Sequence, residues 1–236
     1  MLLSELDLTP KHYVTLDHDH LESSRVIHGN DSLDVVTPYK ILRTRVLQEM
    51  DKSDWRIMAV TAAHEGAGKT ITAINLAMTI AQSGRRNVFL LDFDLRKPGI
   101  ASTLGIDYLK RGLGDYLSED KELGDILWTV GIDNLVIVPG LGRFENSSEL
   151  LTSKPMRELL SAMESEDGEP IVIVDLPPVL VTDDAMAISP MVDCLLFVVA
   201  EGETKRADVL HSIELLEDVD LAGVVLNKSR DTHPGY

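Results

Sequence analysis

From Trp55 onward the chain alternates short apolar runs with amphipathic segments. The runs are Ile57 to Val60, Val88 to Leu91, Leu135 to Val138, Ile171 to Val174, Leu195 to Val199 and Val224 to Leu226. Each is short, rich in β-branched residues and apolar at consecutive positions, the pattern of a parallel strand covered on both faces. Helical periods lie between them: Ile71, Ile74 and Met78 up to Gly84; Met156, Leu159, Leu160 and Met163; and Val209, Ile213 and Leu216. This alternation predicts an α/β fold, a doubly wound, mainly parallel sheet with helices on both faces and ligands at the carboxyl ends of the strands. Ahead of it, Thr37-Pro38 reads as the cap and first residue of a helix striped by Tyr39, Leu42, Val46 and Met50. Lys40 and Arg43, three residues apart, leave that helix from one face.

Residues 1–36 have no sustained period. They carry Glu5, Asp7, Asp17, Asp19, Glu22, Asp31 and Asp34 against Lys11 and Arg25, and predict an acidic arm that is partly flexible or draped over the domain. His18-Asp19-His20 reads as solvated polar residues, since no further metal ligands accompany it. The main domain is expected over 37–228, with a short tail over 229–236.

Composition narrows the function. A chain of 236 residues is the size of one α/β domain. Its 39 acidic against 22 basic side chains give a net charge of −17, which opposes both phosphate backbones and anionic lipid surfaces. Nucleic acid is therefore not an expected partner. The single Cys194 sits in the run Cys194-Leu195-Leu196-Phe197, which predicts a buried strand residue and excludes an internal disulfide or a cysteine-rich metal site. The amino terminus has no basic region, and no apolar stretch approaches the ~18 residues of a membrane span. A cytoplasmic chain without direct membrane insertion is the expectation.

The chemistry concentrates in four places. Ala63-His64-Glu65-Gly66-Ala67-Gly68-Lys69-Thr70 follows the first core strand and opens the first core helix. It matches the phosphate-binding P-loop, G-x-x-x-x-G-K-[ST], except that Ala63 takes the place of the first glycine. Gly66 and Gly68 let backbone N–H groups turn around a phosphate, the helix start adds positive potential, and Lys69 supplies a mobile cation. His64 to Ile71 are thus the expected nucleotide cradle, with the Thr70 hydroxyl on Mg²⁺. The second strand ends in Leu91-Asp92-Phe93-Asp94, where i and i+2 carboxylates share a face if the chain stays extended. Such a pair needs a cation, and one of its carboxylates can accept the proton of an attacking hydroxyl. Asp175 ends Ile171-Val172-Ile173-Val174 as a Walker B acid would, able to bind Mg²⁺ directly or through water. At the end of the last strand, the Asn227 amide can read a purine edge. Arg230 stands where a guanine reader would carry aspartate, which favours adenine.

Together these motifs resemble the bacterial tyrosine kinases (BY-kinases) of exopolysaccharide export, over residues 37–236 and most of all their exosortase-associated autokinase subfamily. Leu91-Asp92-Phe93-Asp94-Leu95-Arg96-Lys97-Pro98, Val174-Asp175-Leu176-Pro177-Pro178 and Gly223-Val224-Val225-Leu226-Asn227 carry the likeness. Asn146-Ser147-Ser148-Glu149-Leu150-Leu151 is similar to the family's N-P-S-E-L-L segment, and Tyr39 to Thr44 to its helical oligomerisation motif, with Lys40 and Arg43 as the contacts. The resemblance implies a P-loop NTPase fold and a cytoplasmic kinase that uses ATP and Mg²⁺. It also implies a homo-oligomer recruited to the inner membrane face by a membrane-spanning chain-length determinant. Lys69, Asp92 and Asp94 become the catalytic set, Thr70, Asp94 and Asp175 the metal set, and Asp92 or Asp94 the base. The tail holds a single tyrosine, Tyr236, as candidate phosphoacceptor, while Tyr13, Tyr39, Tyr108 and Tyr116 are scattered and read as structural. An alternative within the same resemblance is a nucleotide-gated assembly module with vestigial phosphotransfer.

Overall fold

The computed structural model describes residues 6–29, 31–118 and 122–229. Its strands are β1 (His12–Tyr13), β2 (Ile57–Ala62), β3 (Val88–Asp92), β4 (Trp128–Thr129), β5 (Leu135–Val138), β6 (Ile171–Asp175), β7 (Cys194–Ala200) and β8 (Asp220–Asn227). The helices are α1 (His18–Ser23), α2 (Leu33–Ser53), α3 (Lys69–Ala81), α4 (Ile100–Leu104), α5 (Leu113–Ser118), α6 (Ser147–Leu151), α7 (Lys154–Glu164), α8 (Asp184–Ile188) and α9 (Arg206–Leu215). The strands form one sheet in the order β1-β4-β5-β3-β6-β2-β7-β8. Every pairing is parallel except β4 with β5.

Side chains alternate across the sheet into two cores. Ala59, Phe89, Leu91, Val172, Val174 and Phe197 pack against α5 to α9, whereas Met58, Val60, Leu90, Ile173 and Leu196 pack against α2, α3 and α4. The six apolar runs are the six long strands, and the doubly wound architecture follows from burying both of their faces. The chain order β2–P-loop–α3 runs through the middle of the sheet, so the P-loop, the end of β3 and the end of β6 meet at one edge.

Three details differ from the sequence reading. The helix placed at Thr37 begins at Leu33, with Ser32 as its cap, so the boundary drawn between residues 36 and 37 falls inside α2. Pro38 is therefore a helix-interior residue. Its missing donor leaves the Asp34 carbonyl to water on an exposed first turn, where that loss is small. Second, β8 is an edge strand whose outer face is open: Val224 and Leu226 are 52% and 57% exposed, so coverage on both faces fails there. Third, β1 and β4 are additional strands. Each has two residues, too few to show a period.

The described part of the N-terminal arm is built onto the domain. β1 pairs with β4, and His12 stacks on Trp128 with ring centres 4.6 Å apart. Val14, Leu21, Val26 and Ile27 are buried. The buried Asn75 amide of α3 holds the arm's backbone at two points, accepting from Ile27 N at 2.9 Å and donating to Arg25 O at 3.0 Å. His20 Nε2 lies 3.1 Å from Ser102 O of α4, so the histidines of the arm serve packing and hydrogen bonding.

Candidate active site

The P-loop turns on two glycines. Gly66 and Gly68 have φ of +80° and +96°, values that a side chain strains, and Gly68 caps α3. A Cβ on Gly68 would lie 2.0 Å from Asn227 Nδ2, because the end of β8 is drawn against the loop by a 2.8 Å bond from that amide to Ala67 O. Asn227 thereby braces the cradle.

Lys69, the first residue of α3, projects into a cluster of carboxylates. Its Nζ lies 3.1 Å from Asp94 Oδ2 and 3.4 Å from Asp175 Oδ1, and Thr70 Oγ1 donates to Asp175 Oδ2 at 2.6 Å. Burial works against the Lys69 charge, but Asp175, Asp94 and Asp92 outweigh it and raise its pKa above the ordinary lysine value. Burial also raises the pKa of Asp175, opposed by Lys69 and the Thr70 hydrogen bond.

Asp92 and Asp94 part company. β3 ends at Asp92 and the chain turns at once, so the two carboxylates do not share a strand face. Asp92 is fully buried. Its Oδ2 accepts from Gly99 N and Ile100 N, both at 2.9 Å, and its Oδ1 from Asp94 N at 3.2 Å. This carboxylate organises the 93–100 loop, while Asp94 faces the cavity and Lys69. Removal from water, followed by the neighbouring Asp175 charge, pushes the Asp92 pKa up to about 7.

That shift has a defined sign. The native carboxyl holds its proton more tightly than the unfolded chain does, so the ligand-free protein loses stability as pH rises from about 4 towards 7. Between pH 5.5 and 7.0 the loss expected from one such group is about 2 kcal/mol. Urea unfolding across that window should show the fall, and Asp175→Asn should make it shallower by removing the charge that adds to burial in raising Asp92. A profile equally steep in both proteins would contradict the coupling.

The cavity in front of Lys69 has a volume of about 570 Å³ and is lined by Glu65, Gly66, Gly68, Lys69, Thr70, Ile71 and Asp94. Lys97, Pro98, Gly99, Ser102, Thr103 and Ser24 complete it; the sequence reading did not select these as site residues, although Lys97 and Pro98 stand inside the quoted β3 motif. Clefts of 550 and 880 Å³ lie beneath the arm at the amino ends of the strands, away from the P-loop. His64 is not a lining residue; its Nε2 pairs with Asp208 of α9 at 3.0 Å. Arg96 turns away as well, its Nε 3.2 Å from the buried Asp184 carboxylate, which also accepts from the Ser147 and Ser148 hydroxyls. The N-P-S-E-L-L-like segment thus anchors the loop that follows β3.

On α2, the Arg43 guanidinium donates to Thr79 O of α3 at 3.1 Å, and Lys40 is exposed. Tyr236 and Arg230 lie outside the described residues. Tyr116 is packed against the core, whereas Tyr13 and Tyr108 are 65% and 67% exposed, which revises their structural reading.

The donor set tests the fit of a metal. Thr70, Asp94 and Asp175 offer only hard oxygen atoms beside a phosphate cradle. Among the described residues no cluster of three or more His, Cys, Asp or Glu forms an all-protein metal cage. Mg²⁺ suits this arrangement, since it retains water and is held by one or two carboxylates together with phosphate oxygens. The strand, the glycine turn, the lysine at the helix start and the acid at the tip of β6 define a nucleotide-binding P-loop NTPase.

Comparison with known proteins places it further. Residues 55–205 match the family model described as AAA domain. The tyrosine-protein kinase CpsD of Streptococcus agalactiae is 28% identical over 200 residues, covering 84% of this chain and 85% of its own. The succinoglycan biosynthesis transport protein ExoP of Rhizobium meliloti is 34% identical over 193 residues, covering 77% of this chain but only 23% of ExoP. Among solved structures, the kinase domain of the Escherichia coli tyrosine kinase ETK superposes with a TM-score of 0.76 at 26% identity, covering 97% of this chain and 92% of that one. The chain belongs to the AAA domain family.

Proposed function

We propose that the chain is an ATP- and Mg²⁺-dependent protein tyrosine kinase that regulates exopolysaccharide polymerisation and export. The observation that carries this reading is the convergence of Lys69, Thr70, Asp94 and Asp175 beside the glycine cradle. The names of the relatives, a tyrosine kinase and a succinoglycan transport protein, supply the substrate class and the setting.

In this reading the backbone N–H groups of His64 to Ile71 hold the phosphates and Lys69 neutralises them, while Asn227 stands at the base. Thr70, Asp94 and Asp175 would hold Mg²⁺, which when bound supplies Lewis-acid neutralisation of phosphate charge. Asp94 takes the proton from the tyrosine hydroxyl at one of its carboxylate oxygens. Asp92, with its oxygens committed to backbone N–H groups, positions the loop that presents Asp94.

The chain works as a homo-oligomer in the cytoplasm, recruited to the inner membrane face by a membrane-spanning chain-length determinant. No helix among the described residues is long and apolar enough to cross a membrane. Contacts at Lys40 and Arg43 would reach the P-loop helix directly, since Arg43 already touches Thr79 of α3.

The test is mass spectrometry of purified protein incubated with Mg-ATP. Phosphotyrosine is expected on Tyr236, with Tyr13 and Tyr108 as exposed alternatives. ATP turnover without any phosphotyrosine would assign the nucleotide to gating assembly instead.

A further inference from the structure

The loop joining β3 to α4 carries a cation that the motif reading leaves without a role. Lys97 N donates to Asp94 Oδ1 at 3.0 Å, and Gly99 N and Ile100 N are fixed on Asp92, so the Lys97 backbone is locked to the residue that holds Lys69. Its side chain, by contrast, is 66% exposed and reaches across the cavity to the P-loop, where Nζ meets Glu65 Oε2 at 2.6 Å. Both residues line the 570 Å³ cavity.

We propose that Lys97 is a second phosphate-binding cation, specific for the terminal phosphate of a nucleoside triphosphate and parked on Glu65 until that phosphate arrives. The proposal rests on the kinase reading of the site. Charge supports it. Lys69 is the other cation among the described lining residues, and it already faces Asp94 and Asp175 with Asp92 behind them. Mg-ATP would add two further negative charges to that surplus. Arg96, the neighbouring cation in sequence, is committed to Asp184.

The exchange is also inexpensive. The Lys97–Glu65 pair has both partners largely in water, where such pairs contribute little to stability. A dianionic phosphate is a stronger partner for an ammonium than a singly charged carboxylate is. Glu65 neutralised by Lys97 leaves the entrance without a bare carboxylate facing an incoming polyphosphate. Once Lys97 transfers, the Glu65 side chain, itself 54% exposed, can turn to solvent.

The experiment is an equilibrium titration of the full chain with fluorescent ADP and with the fluorescent, non-hydrolysable β,γ-imido analogue of ATP, both with Mg²⁺. Wild type is compared with Lys97→Ala, Lys97→Arg, Glu65→Gln and the double variant Glu65→Gln/Lys97→Ala. Lys97→Ala should weaken the triphosphate analogue about tenfold and ADP less than twofold, and Lys97→Arg should restore most of the difference. Glu65→Gln should tighten the triphosphate a few-fold, a gain that disappears in the double variant. Equal losses for both nucleotides, or no loss for either, would overturn the assignment of Lys97 while leaving the kinase reading intact. A wild-type chain that binds neither nucleotide would overturn both. Because Lys97 and Glu65 are surface side chains, unchanged thermal unfolding of the variants is the expected control.

Discussion

Lys69→Ala is expected to lower phosphotransfer and ATP turnover by about three orders of magnitude and to destabilise the ligand-free protein at the same time. The loss of activity follows from removing the cation that the P-loop aims at the phosphates. The loss of stability follows from the geometry of the cluster, in which Lys69 lies 3.1 Å from Asp94 and 3.4 Å from Asp175. Without it, buried carboxylates face one another with no counter-charge, a change that costs about 3–5 kcal/mol when the charges cannot neutralise. Protonation relieves part of that cost. The destabilisation should therefore be larger at pH 8 than at pH 6, the opposite of an ordinary acid-labile salt bridge. Phosphotyrosine detection, ATP turnover and thermal unfolding at the two pH values check the three parts. Retained turnover would remove Lys69 from the reaction.

Asp94→Asn should be equally damaging to activity and opposite in its effect on stability. Turnover with Mg²⁺ is expected to fall by about two to three orders of magnitude, because the substitution removes both a metal-facing carboxylate and the acceptor of the tyrosine proton. The ligand-free protein should melt at the same temperature as wild type or higher. Three aspartates share one lysine here, so taking one charge away eases repulsion, while an asparagine oxygen can still accept from Lys97 N as Asp94 Oδ1 does at 3.0 Å. Mg²⁺ should raise the melting temperature of wild type in the presence of nucleotide and do so less for the variant. Full turnover in Asp94→Asn would shift the catalytic carboxylate elsewhere, with Asp175 the next residue to test.

The two predictions illustrate what was legible in the chain. Gly66, Gly68, Lys69, Thr70 and Asp175 were readable because each stands at the end of a strand or the start of a helix whose apolar pattern is unmistakable, and topology then brings them together. The division of labour between Asp92 and Asp94 was not readable. It depends on where β3 stops, and a strand that ended one residue later would have pointed both carboxylates elsewhere. The start of α2 was obscured by a strong local signal, Thr37-Pro38, which the actual helix overrides by tolerating Pro38 on a solvent-facing turn. β1 and β4 exist only because they find each other and β5 across the chain; nothing in His12-Tyr13 or Trp128-Thr129 announces a strand. Lys97 was visible as a letter in a motif, but its reach to Glu65 is a property of the folded loop.

The arm's attachments also set an order of events during synthesis. His12 is made 117 residues ahead of its hydrogen-bonding neighbour Thr129, and Asn75 and Ser102, which hold Arg25, Ile27 and His20, emerge in between. At translation rates of roughly 5–20 residues per second, the arm waits on the order of ten seconds after its own synthesis for its last anchor. Docking of the arm thus marks the completion of the β4–β5 edge of the sheet. A nascent chain interrupted before residue 128 would expose Val14, Leu21, Val26 and Ile27, giving chaperones and proteases a signal of unfinished synthesis.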